Sequence, residues 1–342
     1  MYHLIIFRLR DIRPPTVLTN EQPGVSVIIA VRNGSAQLKE NLMDILLQDF
    51  LNFEILIVDD HSDPFERKNL EEIISISPRV QLLSSNEPGK KYALMTGIEE
   101  AKYDFILCTD VDCKPASKDW IRTMIEHSID HSIVIGYSPY QKSSGWLNIL
   151  IRFETLMTGI QYLSWAMNGR PYMAVGRNIL YPKSLFLKAQ PFHQHQDIPY
   201  GDDDLGLQAF AKSSISVCVE KKGHVISMPA TSWLQWLKQK HRHLSAAHFY
   251  KPGVWWQPGM YGMALIGHWV LLYFMIDTLA WWKWLPLFVI GILFRWLTCI
   301  IWTRKLGDKD VIILYPLLEI IYAAYLAVVG TVTIVAKRKT WN

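Results

Sequence analysis

The run Val25-Ser26-Val27-Ile28-Ile29-Ala30-Val31 is apolar and β-branched almost throughout. That is the pattern of a strand buried on both faces of a parallel sheet. It stops at Arg32-Asn33-Gly34, and the pattern changes to helical spacing over 35–48, with Ser35 as the expected cap. A second buried run, 53–58, ends in Asp59-Asp60-His61-Ser62. The alternation then repeats: helix 65–76, strand 80–83, the turn Asn86-Glu87-Pro88-Gly89, helix 90–101 and strand 105–109. Further on, the spacing predicts a helix over 120–128, a strand over 132–136 and a helix over 205–212. Alternation of this kind predicts an α/β fold, a mostly parallel sheet with helices on both faces.

Beyond residue 232 the pattern changes. Residues 233–243 are amphipathic and basic, with Trp233, Trp236 and Leu237 among Lys, Arg and His, as in a helix lying in a lipid headgroup region. Long apolar runs follow at 259–280, 285–302 and 311–335, the second holding Arg295 and the third Glu319. The expectation is a C-terminal α-helical transmembrane region of two or three spans, with Arg295 and Glu319 either paired between spans or marking a lipid cavity. The apolar stretch 145–167 imitates a span. One crossing there would put Asp110/Asp112 and Asp202–Asp204 on opposite sides of a bilayer, and Arg152 and Glu154 also suit burial in protein. The domains expected are an N-terminal segment 1–20, an α/β domain 21–232, an interfacial segment 233–258 and membrane helices 259–342. The first ten residues are too short an apolar run to span.

Composition adds two exclusions. A net charge of +4 over 342 residues, without a basic stripe bearing base-stacking aromatics, does not suggest a nucleic-acid partner. The four cysteines form no Cys-x-x-Cys pair, so a disulfide framework or a zinc site is not expected.

Candidate chemistry sits at the ends of the strands. Phe105-Ile106-Leu107-Cys108-Thr109 runs into Asp110-Val111-Asp112, two carboxylates that an extended backbone would aim the same way, before Lys114-Pro115 stops the strand. Either they share a hard divalent cation such as Mg2+ or Mn2+, or they form a solvated acidic turn. Arg32-Asn33 and Asp59-Asp60 end two other strands, and Lys90 opens a helix after Gly89. Ligands on such sheets bind beyond the carboxyl ends of the strands, and a helix start favours phosphate, so together these residues read as a nucleotide site. Gly201-Asp202-Asp203-Asp204 opens another helix, where acids also serve as ordinary caps.

The sequence resembles the family 2 glycosyltransferases of GT-A fold. The resemblance rests on 25–32, Ile57-Val58-Asp59-Asp60-His61-Ser62, Gly89-Lys90-Lys91-Tyr92-Ala93-Leu94, Thr109-Asp110-Val111-Asp112, Gly201-Asp202-Asp203-Asp204-Leu205 and Gln239-Lys240-His241-Arg242. It implies an inverting hexosyltransferase with a nucleoside-diphosphate sugar donor, a UDP-sugar being favoured, and a divalent metal, Mg2+ or Mn2+. By the same resemblance Asp59 and Asp60 contact base and ribose, while Arg32, Lys90, Asp110, Gln239 and Arg242 serve the donor. Asp110 and Asp112 hold the metal, and Asp203 is the general base, with Asp202 the alternative one register earlier. Gly176-Arg177-Asn178 followed by Tyr181 resembles a donor-pocket segment. His243 stands where the family's Gln-x-x-Arg-Trp motif has Trp.

The whole then reads as a membrane-anchored, metal-dependent enzyme of cell-envelope glycan synthesis, its catalytic domain on the cytoplasmic face. Its acceptor would be lipid-linked and its product a single added sugar. Two other functions fit less of the pattern. A sugar-1-phosphate nucleotidyltransferase would carry a richer glycine loop than Val31-Arg32-Asn33-Gly34. An inactive nucleotide-sugar-binding scaffold would not need Asp110, Asp112 and Asp203 together.

Overall fold

The structure, a computed structural model, describes residues 23–335 apart from 196–197, 199–200, 211–212, 247–248 and 255. The expected N-terminal segment 1–20 lies outside the described residues. The chain forms two compact units, residues 7–141 with 162–228, and residues 142–161 with 229–342. Residues 142–161, which the sequence reading groups with the α/β domain, thus cluster with the C-terminal helices.

In chain order the α/β unit comprises β1 (Val25–Val31), α1 (Ser35–Leu46), β2 (Phe53–Asp59), α2 (Pro64–Ile74), β3 (Val80–Ser84), α3 (Lys90–Glu100), β4 (Phe105–Asp110), β5 (Cys113–Pro115), α4 (Trp120–Glu126) and β6 (Ile133–Gly136). The helix α5 (Trp146–Met167) runs through both units. After it come β7 (Ile179–Pro182), α6 (Lys183–Ala189), α7 (Asp204–Gln208), β8 (Ile215–Cys218) and β9 (Val225–Ser227). The main sheet has seven strands in the order β3-β2-β1-β4-β7-β6-β8. It is parallel except for β7, which runs antiparallel to both β4 and β6. β5 and β9 pair separately and antiparallel.

Burial explains the strands. Val25, Val27, Ile28, Ile55, Ile57, Ile106 and Leu107 are fully buried, and the buried polar pair Ser26 and Glu54 is satisfied. Buried Ser26 donates its hydroxyl to Glu54 (2.6 Å), and Glu54 also accepts from the Lys102 N–H (2.7 Å). Two details differ from the sequence reading. Gly34, not Ser35, is the N-cap of α1; the Ser35 N–H is taken by Glu66 on α2 (2.9 Å), so a tertiary partner replaces the local cap. Lys114-Pro115 does not end pairing either. The chain turns after Asp110 and re-enters the short strand β5, where Pro115 sits terminally, as expected of a residue with no N–H.

Asn178 ties the second half of the sheet together. It is fully buried, accepts from the Trp120 indole (3.0 Å) and donates to the carbonyls of Tyr137 (2.8 Å) and Gly223 (2.9 Å). A Cβ on Gly136 would lie 2.3 Å from its Nδ2, so that backbone approach needs glycine. Asn178→Ala removes three hydrogen bonds, leaves the Trp120 indole and the Gly223 carbonyl without these partners, and is expected to cost about 3 kcal/mol. Tm should fall by roughly 6–12 °C. An unchanged Tm contradicts this role.

The second unit contains α8 (Trp233–Ala246), α9 (Trp256–Thr278), α10 (Trp281–Leu306), α11 (Lys309–Ile313) and α12 (Tyr315–Val335). The run 311–335, expected as one span, breaks at Leu314, since Pro316 has no N–H for the i→i−4 bond. Among the described residues, two helices, Trp256–Ile276 and Trp281–Leu306, are long and apolar enough to cross a membrane, and 11% of each apolar window is buried. Arg152 and Glu154 on α5 are buried and paired, Arg152 with Asp308 and Asp310, and Glu154 with Lys240. Arg295 and Glu319 form a two-pronged ion pair (2.6 and 3.1 Å), and the Tyr315 hydroxyl donates to the same carboxylate (2.8 Å). The structure contains the pairing, and Arg295 also lines an apolar cavity with Met157, Tyr261, Leu265, Cys299 and Tyr315.

Candidate active site

The register of the sheet brings the acidic strand ends together. β1 pairs Val31 with Asp59 on one side and Ala30 with Asp110 on the other, so the ends of β2 and β4 flank the end of β1. This is where the strand order reverses, from β3-β2-β1 to β4, the place where open α/β sheets bind ligands. Just past the ends of β1 and β2, Asn33 and His61 hold left-handed backbone (φ 52° and 56°), a conformation unusual for residues with a Cβ. Arg32 is exposed beside them.

Asp59 is buried, accepting from Arg67 (3.0 Å) and from the Ser62 N–H (3.1 Å). Asp60, also buried, accepts from the Gly89 N–H at 2.6 Å. Gly89 has φ 131°, a value that a side chain would strain, and it is the N-cap from which α3 starts. The acid of β2 thereby fixes the turn that aims Lys90.

Lys90 is the centre of the site. Its Nζ lies 2.9 Å from Asp110 Oδ1 and 3.0 Å from Asp202 Oδ2, bridging the end of β4 to the segment before α7. Burial works against its charge, but Asp110, Asp202 and Asp203 outweigh that and hold its pKa well above the ordinary lysine value. Lys91 faces elsewhere, as consecutive helical residues must, and donates to the carbonyls of His195 (2.7 Å) and Ile198 (2.9 Å). It anchors the segment that leads to Gly201.

The two candidate bases have opposite electrostatics. Burial raises Asp202, but the Lys90 ammonium more than reverses this and leaves it below the usual carboxylate range. Asp203 is pushed up to about 6, first by burial and then by the neighbouring charge of Asp202. It accepts from the N–H groups of Gly176 (3.1 Å) and Asp204 (3.0 Å), which fix its orientation.

Asp110, Asp112 and Cys113 place one ligand atom each within 4.8 Å of one another. The convergence of the two acids comes from a turn after β4 rather than from continued extension. Arg177 supplies a second cation that the sequence reading did not assign. It donates to the hydroxyl (2.7 Å) and carbonyl (3.2 Å) of Ser138, stacks over Tyr140 at 5.0 Å, and keeps its charge against burial through Tyr140, Cys113, Asp110 and Asp112. Its segment was visible as a motif; its approach to Asp110 and Asp112 depends on β7 running antiparallel beside β4, which no local pattern encodes. Of the remaining expected residues, Gln239 and Arg242 lie on α8 in the second unit, Gln239 half-buried and Arg242 exposed.

Residues 26–186 match the family described as Glycosyl transferase family 2. That match, just under half of the chain, supports a family 2 glycosyltransferase. Two curated relatives point the same way. The chain is 24% identical over 196 residues to an uncharacterized glycosyltransferase of Haemophilus influenzae, covering 53% of this chain and 58% of the relative. It is 26% identical over 100 residues to a poly-beta-1,6-N-acetyl-D-glucosamine synthase of Staphylococcus aureus, covering 29% of this chain and 24% of the synthase. The chain thus spans under two thirds of the length of either. Among solved structures it is similar to the mannosyltransferase PcManGT of Pyrobaculum calidifontis in complex with GDP-Man and Mn2+. That likeness has a TM-score of 0.61 at 15% identity, over 98% of this chain and 95% of the other, and shows the fold.

Proposed function

We propose that this chain, as a family 2 glycosyltransferase, moves a hexose from a nucleoside-diphosphate sugar, a UDP-sugar being favoured, to a hydroxyl of a lipid-linked acceptor, with inversion and one sugar per acceptor. The observation that carries the reading is the convergence of Lys90, Asp110, Asp112, Asp202 and Asp203 at the point where the strand order reverses. Four carboxylates there meet two cations, Lys90 and Arg177. The excess negative charge and the carboxylate oxygens of Asp110 and Asp112 suit a hard divalent ion, Mg2+ or Mn2+. Those two residues would hold it, and when bound it would stabilise the charge that develops on the diphosphate leaving group.

The chain's own residues would do the rest. Lys90 and Arg177 set a positive field for the diphosphate, as the family resemblance implies for Lys90 and for donor-binding Arg32, Gln239 and Arg242. Asp59 and Asp60 shape the floor beside β1, where base and ribose would lie. Asp203 takes the proton of the acceptor hydroxyl as its oxygen attacks the anomeric carbon; the bond from that carbon to the diphosphate oxygen breaks, and the nucleoside diphosphate leaves. The raised basicity of Asp203 favours it over Asp202, whose carboxylate is committed to Lys90.

Two apolar helices and the exposed Trp233, Leu234 and Leu237 of α8 support a membrane-anchored enzyme; that its active site lies on the cytoplasmic face is part of the same proposal. The full chain is expected to stay in the membrane pellet after alkaline carbonate washing, and release without detergent contradicts the anchor. Among the described residues, the two helices long and apolar enough to span are too few to wall a polymer path, which supports single transfer over extrusion. The donor reading is tested by thermal shift with nucleoside diphosphates and Mn2+. A stabilisation of about 2.7 kcal/mol is expected at a hundredfold excess over Kd. No shift with any nucleoside diphosphate contradicts it.

A further inference from the structure

The position of Lys90 raises a question that the proposed function does not answer. Its ammonium contacts the Asp110 carboxylate at 2.9 Å, the group that a divalent ion would also use, and it spans to Asp202 at 3.0 Å. An ammonium and a divalent ion on one carboxylate repel each other strongly at such range. Lys90 occupies Asp110 Oδ1, and the repulsion between the two cations means that the arrival of one favours the departure of the other. The side chain is free to leave: it is long, about a third exposed, and held at its tip by these carboxylates. Its base is not free, because Asp60 and the Gly89 turn fix where α3 begins. The tip can therefore swing while its origin stays put.

We propose that Lys90 is a displaceable internal counter-ion, occupying in the donor-free protein the cation position on Asp110 and giving it up when a divalent ion and a nucleoside diphosphate enter together. The inference rests on the reading of Asp110 and Asp112 as metal ligands. The arrangement keeps the acids neutralised between turnovers and makes a lone metal ion a poor ligand. A diphosphate offers the released ammonium a new anionic partner, so metal and nucleotide each improve the binding of the other. Such coupling is reciprocal in free energy.

The test uses the full-length protein and the Mn2+ electron paramagnetic resonance signal, which reports free ion without any need for turnover. Lys90→Gln should bind Mn2+ alone about tenfold more tightly than the wild type, since a competing charge is gone. Lys90→Arg, which keeps the charge, should stay near the wild-type affinity. Saturating UDP or GDP should tighten Mn2+ binding less in Lys90→Gln than in the wild type. Equal or weaker Mn2+ binding by Lys90→Gln, with binding still lost in Asp112→Ala, overturns the counter-ion inference and leaves the metal site standing. Mn2+ binding that survives Asp112→Ala overturns both. If Lys90→Gln does not fold, acetylation of the wild type decides: Mn2+ alone, raised until it saturates the site, should speed acetylation of Lys90 relative to exposed lysines, and an unchanged rate at saturation refutes displacement.

Discussion

Asp112→Ala is expected to lower turnover by roughly 10³-fold while leaving the fold intact. Asp112 is half-exposed in the turn between β4 and β5, so little packing is lost with its carboxylate. What is lost is one of the two carboxylates, Asp110 and Asp112, whose oxygens converge within 4.8 Å and would hold the ion. A divalent ion stabilising a developing diphosphate is worth several kcal/mol, and each 1.36 kcal/mol is about tenfold in rate. Donor affinity should lose its dependence on Mn2+ in the same variant. Steady-state kinetics and a thermal unfolding curve measured together check the claim. Wild-type turnover would remove Asp112 from the site, and a collapsed fold would assign it a structural part instead.

Asp203→Asn is expected to lower kcat by about 10²–10⁴-fold with donor affinity near that of the wild type. The amide keeps the shape of the carboxylate, but an acceptor proton has nowhere to go. The pH profile gives an independent reading. Asp203 must be ionised to act, and its pKa is pushed up to about 6 by burial and by Asp202. kcat/KM should therefore fall below about pH 6, roughly tenfold per unit, and level off above it. Asp203→Asn should lack that acid limb. If Asp202→Asn is the damaging change and the limb persists in Asp203→Asn, the base is Asp202. The structure makes that outcome the costlier one, because Asp202→Asn also removes a partner of Lys90.

The strands β1, β2 and β4 were legible in the sequence because burial on both faces leaves an almost continuous apolar run, and that pattern needs no knowledge of neighbours. Their polar ends, Arg32-Asn33, Asp59-Asp60 and Asp110, were legible for the same reason: a polar residue directly after such a run has to lie at the sheet edge. Lys90 was visible as a cation after a glycine at a helix start. Its two partners were not, because Asp202 comes more than a hundred residues later and the contact exists only once the fold has formed. Arg177 shows the limit again, since its ties to Ser138 and Tyr140 depend on β7 inserting antiparallel between β4 and β6. Ser35 shows local chemistry losing to a tertiary partner, Glu66. The broken run at Leu314 was legible in hindsight from Pro316, whose missing N–H outweighs an unbroken apolar pattern.

The central claim, metal-dependent transfer of one sugar from a nucleotide to a lipid, meets its most direct test in a single incubation. Purified full-length protein, a panel of labelled sugar nucleotides and total membrane lipid are combined with and without EDTA, and products are sized by mass spectrometry. The account predicts a lipid-extractable product heavier by one hexose, an equal release of nucleoside diphosphate, abolition by EDTA and recovery with Mn2+. A ladder of many sugars, an exchange of sugar 1-phosphate with nucleoside triphosphate, or no nucleoside diphosphate released from any donor would contradict it.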